Sequence, residues 1–223
     1  MNISALNKIL AEHKVWVESF RQSGSRADLC GADLYGANLS DANLRGANLC
    51  GANLCDANLC DANLCGADLC GANLYGANLY GANLCDANLC GANLYGANLC
   101  DANLRDANLC DANLCDADLY GANLCGANLC DANLCDANLP DLTFVIMGKE
   151  YPITITNGEY VRAVCQNHTV EEWRAFSKQE IAEMDGRKAL KFYPHLLDTI
   201  DFYLGKGERP EWVSEEAVEV CSD

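Results

Sequence analysis

Ala27-Asp28-Leu29-Cys30-Gly31 opens a run that ends at Ala137-Asn138-Leu139-Pro140-Asp141. Between them the chain repeats A-[N/D]-L-x-[G/D] for 23 consecutive units, with Leu at every fifth position. Five residues on an α-helix carry the apolar position well past one turn, so Leu would spiral around a rod, and a regular helix is excluded. A straight strand fails as well, because an odd period turns Leu to the opposite face at each repeat. The chain must bend once per unit. Ala and Leu lie two apart and share a face, the Asn or Asp between them points outward, and Gly or Asp suits the corner. Four bends close a coil of about twenty residues, and coils stack through backbone hydrogen bonds at a rise of about 4.8 Å.

On these motifs the sequence resembles the pentapeptide repeat family. The resemblance implies a right-handed, four-sided parallel β-helix, and the four-sidedness comes from it, since the repeat alone fixes a bend and not its angle. The fold expected is therefore mainly β, a solenoid of about six coils with an N-terminal helix and a small C-terminal α+β domain. The expected bounds are 1–25 for the capping helix, 26–145 for the β-helix, 146–205 for the C-terminal domain and 206–223 for an acidic tail.

Asn2 to about Gln22 reads as an amphipathic helix carrying Leu6, Ile9, Leu10, His13, Trp16, Val17 and Phe20 on one face, with Asn2 or Ser4 as cap and Gly24 as stop. A solenoid exposes its last core layer at each end, so this helix is expected to serve as a lid. At the other end Leu142-Thr143-Phe144 still fits the frame with bulkier residues and would form a twenty-fourth unit, the start of a second cap. Strands are expected over Phe144–Met147, Tyr151–Thr156 and Glu159–Cys165, the last two joined by an Asn157-Gly158 hairpin turn. Thr169 with Glu172 and Ser177 with Glu180 form two capping boxes, announcing helices near Val170–Phe176 and Lys178–Met184. A longer helix, Arg187–Leu204, contains Pro194, and the chain after Gly205 is expected to be loose. The segments Cys165–Trp173 and Ala182–Arg187 resemble a domain that follows pentapeptide repeats in phage and prophage proteins, a resemblance that transfers no activity.

Composition narrows the function. A formal net charge of −17 opposes direct binding to nucleic acid and favours basic protein surfaces. No span suits a membrane helix, and the N-terminus, with Lys8, Glu12, His13 and Lys14, lacks the layout of a secretory signal. A cytoplasmic protein with reduced thiols is expected, its sixteen cysteines notwithstanding. Catalytic residues, cofactor and metal are each expected to be none. His13, His168 and His195 fall in separate elements, no nucleophile motif surrounds a Ser or Cys, and Cys165 with His168 is half a zinc site at best.

What varies is the outward surface. Cys30, Cys50, Cys70, Cys90, Cys110 and Cys130 form an exposed thiol ladder at twenty-residue intervals. Stacked Cβ atoms about 4.8 Å apart lie beyond the usual disulfide range, which favours a packing role for the ladder. Residues 26–140 hold fourteen Asp against three Arg, and Asp101, Asp106, Asp111, Asp116, Asp131 and Asp136 gather late in the run as a candidate acidic binding surface. Some pentapeptide repeat proteins resemble duplex DNA in width and charge and occupy the DNA-binding saddle of DNA gyrase or topoisomerase IV. The resemblance implies an interaction protein whose partner is a DNA-binding enzyme or a host-defence protein. The alternative is a scaffold or assembly module of a phage or bacterium, with a homodimer formed through the C-terminal domain.

Overall fold

The computed structural model describes residues 1–146, 151, 153–163 and 166–213. The chain divides into two compact units, Met1–Asp141 and a second beginning at Leu142.

In the first unit every outward Asn or Asp from position 28 onward bridges in parallel to the residue twenty positions later, from Asp28↔Asn48 to Asp118↔Asn138. The coil is therefore twenty residues and four units long, and its four sides are observed directly. One unit illustrates the bonding. Leu29 N–H donates to the Asn48 carbonyl at 2.7 Å, Asn48 N–H returns to Ala27 at 2.9 Å, and Ala32 N–H closes the corner onto Leu29 at 3.0 Å. The corner residue Gly31 has φ +61°, and Asp occupies the same left-handed conformation at Asp111 (φ +58°). Positive φ at the third position of a four-residue turn suits Gly, Asn and Asp, which explains the restricted last letter of the repeat. The second letter is restricted by side-chain chemistry. Asn48 Oδ1 accepts the Cys50 N–H at 3.2 Å, while its Nδ2 donates to Asp28 Oδ1 at 2.9 Å. Each outward amide or carboxylate thus pins its own turn and, in many coils, the coil before it. Inside, Leu44 to Leu124 are completely buried, and Ala from Ala47 onward fills the space between them.

Helix α1 spans Ile3–Glu18, with the Asn2 side chain accepting from Ala5 N–H as N-cap. Leu6 is buried in the solenoid's apolar cluster, Ile9 and Leu10 pack against it, and His13 Nδ1 accepts the Ala27 N–H at 3.0 Å. The expectation of helix to about Gln22 is corrected: Ser19 is the C-cap, and Phe20 and Arg21 adopt φ +54° and +71°. Arg21 N–H reaches back to the Trp16 carbonyl, a helix closure made here without glycine. Phe20, assigned to the apolar face, is accordingly 88% exposed. Gly24 does not stop the helix. It lets the chain recross it, since a Cβ there would lie 2.4 Å from the Glu12 carbonyl oxygen.

The second unit is an antiparallel meander in the order β1-β2-β3-β4, comprising β1 (Phe144–Ile146), β2 (Ile153–Thr156), β3 (Tyr160–Ala163) and β4 (Gln166–Thr169), followed by α2 (Val170–Ala175) and α3 (Lys178–Leu204). Where the repeat frame predicts a further unit, Phe144 instead opens β1 opposite Ile155. Strand β4 has no counterpart among the expected strands; Met147 and Cys165 lie outside the described residues. Both capping boxes are formed. The two expected helices after Ser177 are one element interrupted at Asp185 and Gly186 (φ +57°), while Pro194 lies inside it without non-helical backbone angles. Trp173 is fully buried, donating Nε1–H to the Val161 carbonyl at 2.6 Å. The stretch expected to be loose after Gly205 is packed as far as Val213: Trp212 Nε1–H donates to Phe176, its ring stacks on Tyr193, and Val213 is buried. Residues 214–223 of that stretch lie outside the described residues. Burial opposes ionisation of Asp201, but Arg209 and Arg174 hold its carboxyl below the ordinary value. Among the described residues no helix is long and apolar enough to cross a membrane.

Candidate functional site

Register decides which side chains meet. Residues twenty apart share a column, whereas residues five apart are separated by a corner. The six candidate carboxylates, adjacent in sequence, therefore do not form one patch. Asp101, Asp106, Asp111 and Asp116 take the four successive corners of one circuit. Asp131 stacks on Asp111 and Asp136 on Asp116. One side of the solenoid, bounded by these two corner columns, thus carries Asp111, Asp116, Asp131 and Asp136, all exposed and with no arginine on that side. Asp101 and Asp106 face other directions.

Each of the six carboxylates has a local donor. The thiols of Cys110, Cys130 and Cys135 approach Asp111, Asp131 and Asp136 at 3.4, 3.3 and 3.3 Å. The Tyr80 and Tyr95 hydroxyls donate to Asp101 and Asp116, and Arg105 pairs with Asp106 at 3.3 Å. Only the last donor is cationic, so five of the six carboxylates are held in position with their charge uncompensated by their donor. Tyr75 and Tyr95 stack with ring centroids 5.4 Å apart and planes 4° from parallel, on the same side as the four-carboxylate patch and in the coils preceding it.

The thiol ladder, expected to be exposed, is half-buried except at Cys30, and Cys85 and Cys100 lie in neighbouring columns. Burial, a hydrogen bond to Asp111 and that carboxylate's charge push Cys110 up to about 12. Burial and Asp86 raise Cys85 to about 11, and burial and Asp118 raise Cys100 to about 11. Burial also raises Cys30 and Cys50. These thiols stay protonated at neutral pH, which makes them weak nucleophiles. Two groups that were not singled out from the sequence nonetheless converge: Cys65, Cys85 and Asp86, and Cys90, Cys110 and Asp111, each with ligand atoms within 4.8 Å of one another. Two cysteines twenty apart, the second followed by Asp, is a sequence signal that includes both groups but also selects Cys110, Cys130 and Asp131 and Cys115, Cys135 and Asp136, so side-chain placement is needed to single them out.

The histidines stay apart, in α1, β4 and α3. His168 packs edge-on against Trp173 at 5.3 Å, as its place before the Thr169 cap suggests, and Cys165 lies outside the described residues. A cleft of about 280 Å³ beside α1 is lined by Trp16, Val17, Phe20, Arg21 and Arg45, a set without an acid–base pair.

The family model for pentapeptide repeats matches residues 25–59, 52–91, 77–116, 92–130 and 116–144, more than half of the chain. A pentapeptide repeat protein from the thylakoid lumen of Arabidopsis thaliana is 34% identical, with 49% of this chain and 70% of that one covered and a TM-score of 0.35. HetL of the cyanobacterium Nostoc, a pentapeptide repeat protein involved in regulating heterocyst differentiation, is 36% identical over 51% of this chain and 68% of its own, with a TM-score of 0.21. QnrB1, a plasmid-mediated fluoroquinolone resistance protein, is 19% identical over 52% and 69% of the two chains, with a TM-score of 0.27. No curated protein matches the chain closely enough to count as a relative.

Proposed function

The chain belongs to the pentapeptide repeat family, and from that premise we propose that it is a non-catalytic interaction protein whose right-handed β-helix presents an acidic face to a basic, DNA-binding protein surface. The observation that carries this reading is the four-carboxylate side formed by Asp111, Asp116, Asp131 and Asp136. Donors in the same or the preceding coil already orient these groups, so meeting a basic groove requires little further ordering. The preferred partner is a DNA gyrase, a topoisomerase or another enzyme that normally holds duplex DNA. The net charge of −17 keeps nucleic acid itself from competing for the chain. α1 acts as the lid of the first coil.

The test is a pull-down from nuclease-treated bacterial lysate at low and high salt, with wild type and a variant carrying Asn at all four positions as baits. A DNA-binding enzyme retained by wild type at low salt, released by salt and missed by the variant supports the reading. Equal capture by both baits removes the electrostatic argument. A second reading, assembly through the C-terminal unit, is favoured by Phe202, which is 81% exposed. Light scattering distinguishes it: a dimer abolished by Phe202→Ser supports assembly, and a strict monomer rejects it.

A further inference from the structure

Within the all-cysteine column, ligand atoms of Cys90, Cys110 and Asp111 lie within 4.8 Å of one another. The two cysteines belong to successive coils, and the ladder between them, including Gly91 N–H to the Cys110 carbonyl at 2.8 Å, fixes their spacing. The two sulfurs, within 4.8 Å of one another, are close enough to share one soft ion. A four-coordinate ion would require two further ligands, where this cluster offers one carboxylate oxygen.

The second cluster, Cys65, Cys85 and Asp86, has the same donors in a different setting. Its column runs from Arg45 to Arg105, so cationic side chains occupy the rungs on either side of the two thiols. The Cys90–Cys110 column continues instead to Cys70 and Cys130, and Asp131 follows Cys130 at the next corner. The two clusters thus differ in their neighbours, further thiols on the rungs flanking Cys90 and Cys110 and arginines on those flanking Cys65 and Cys85, and a soft ion is favoured by the run of soft donors.

We propose that Cys90 and Cys110, with Asp111 beside them, form a binding site for a thiophilic d10 cation shared by the two sulfurs, with Cu(I) as the ion that tests it. Soft thiolate ligands select such an ion over hard cations. On binding, two S–H bonds break and two metal–sulfur bonds form. Two protons leave, and no electron is transferred, so the site becomes one unit of charge more negative. Asp111, which accepts the Cys110 S–H at 3.4 Å, is placed to receive that proton and release it to solvent.

The experiment is an anaerobic titration of the full chain with Cu(I) against the chelator bicinchoninate, on reduced protein. Wild type is expected to hold a tight equivalent that Cys90→Ser with Cys110→Ser removes and that Asp111→Asn weakens by about tenfold. Cys65→Ser with Cys85→Ser should leave that equivalent intact. X-ray absorption at the copper edge should find two sulfur neighbours. The proposal is overturned if the Cys90/Cys110 variant keeps the tight equivalent, if the Cys65/Cys85 variant loses it instead, or if Zn(II) binds the same residues as tightly as Cu(I). Urea midpoints check the fold of each variant, and Asp111→Asn alone carries the comparison should the double serine variant unfold.

Discussion

Leu84→Ala in the middle of the solenoid tests the packing account most sharply. Leu84 is fully buried, as are Leu64 and Leu104 in the coils on either side. Losing three buried carbons costs about 2.4 kcal/mol in transfer free energy. A second contribution depends on how far the surroundings collapse into the space left behind. Here they cannot move far. Leu64 N–H to Asn83, Leu84 N–H to Asn103 and Asn103 N–H to Ala82 hold the three coils at bonded distances of 2.7 to 2.9 Å. The cavity should persist, placing the total near the upper end of the Leu→Ala range, about 4 to 5 kcal/mol. Leu134, only partly buried in the last coil, should cost about 1 to 2 kcal/mol when changed to Ala. Equilibrium urea unfolding followed by far-UV circular dichroism measures both. With m near 2 kcal/mol/M, Leu84→Ala should lower the midpoint by about 2 M, at least twice the shift for Leu134→Ala. Equal shifts would refute a core held rigid by its backbone ladder.

Three further outcomes follow from local chemistry. The pKa of His13 is lowered by burial and by the Arg26 charge, and its Nδ1 must stay unprotonated to accept from Ala27. The folded state therefore binds fewer protons, and stability is complete above about pH 6.5, falls as pH drops through the lowered value and levels off below it. Urea midpoints between about pH 7 and 5 should fall for wild type relative to His13→Gln, and parallel curves would contradict this. With Cys85 and Cys100 near 11 and Cys110 near 12, iodoacetamide labelling at these sites should be slow at neutral pH. It should rise about tenfold per pH unit; a plateau below about pH 9 would show that the carboxylates do not hold the thiols protonated. In the second unit, Thr169→Ala removes the acceptor for Glu172 N–H and should cost about 1 kcal/mol, read as a midpoint shift in the same assay.

Much of the solenoid was legible because each letter of the repeat has one physical job. Leu and Ala fill the core, Asn ties its own turn, and Gly or Asp accepts the positive φ of the corner. The capping boxes at Thr169 and Ser177 were legible for the same reason, since their hydrogen bonds are local. The end of α1 was not, because Phe20 and Arg21 adopt a backbone conformation that their side chains do not advertise. Strand β4, Gln166-Asn167-His168-Thr169, is polar text made into a strand by pairing with β3, a tertiary fact. The docking of Trp212 depends on the distant Phe176 and Tyr193. The acidic surface illustrates the same limit: Asp residues that crowd together along the chain are sent to four corners, and only the twenty-residue register shows that four of them share a side.

The measurement closest to the central claim is displacement of a fluorescent DNA duplex from purified DNA gyrase by this protein. Wild type should release the duplex at low ionic strength and lose that ability steeply as salt is added. The variant with Asn at Asp111, Asp116, Asp131 and Asp136 should fail throughout while keeping its urea midpoint. Displacement by the variant equal to wild type, or no displacement by either at any salt concentration, would contradict the acidic-face account.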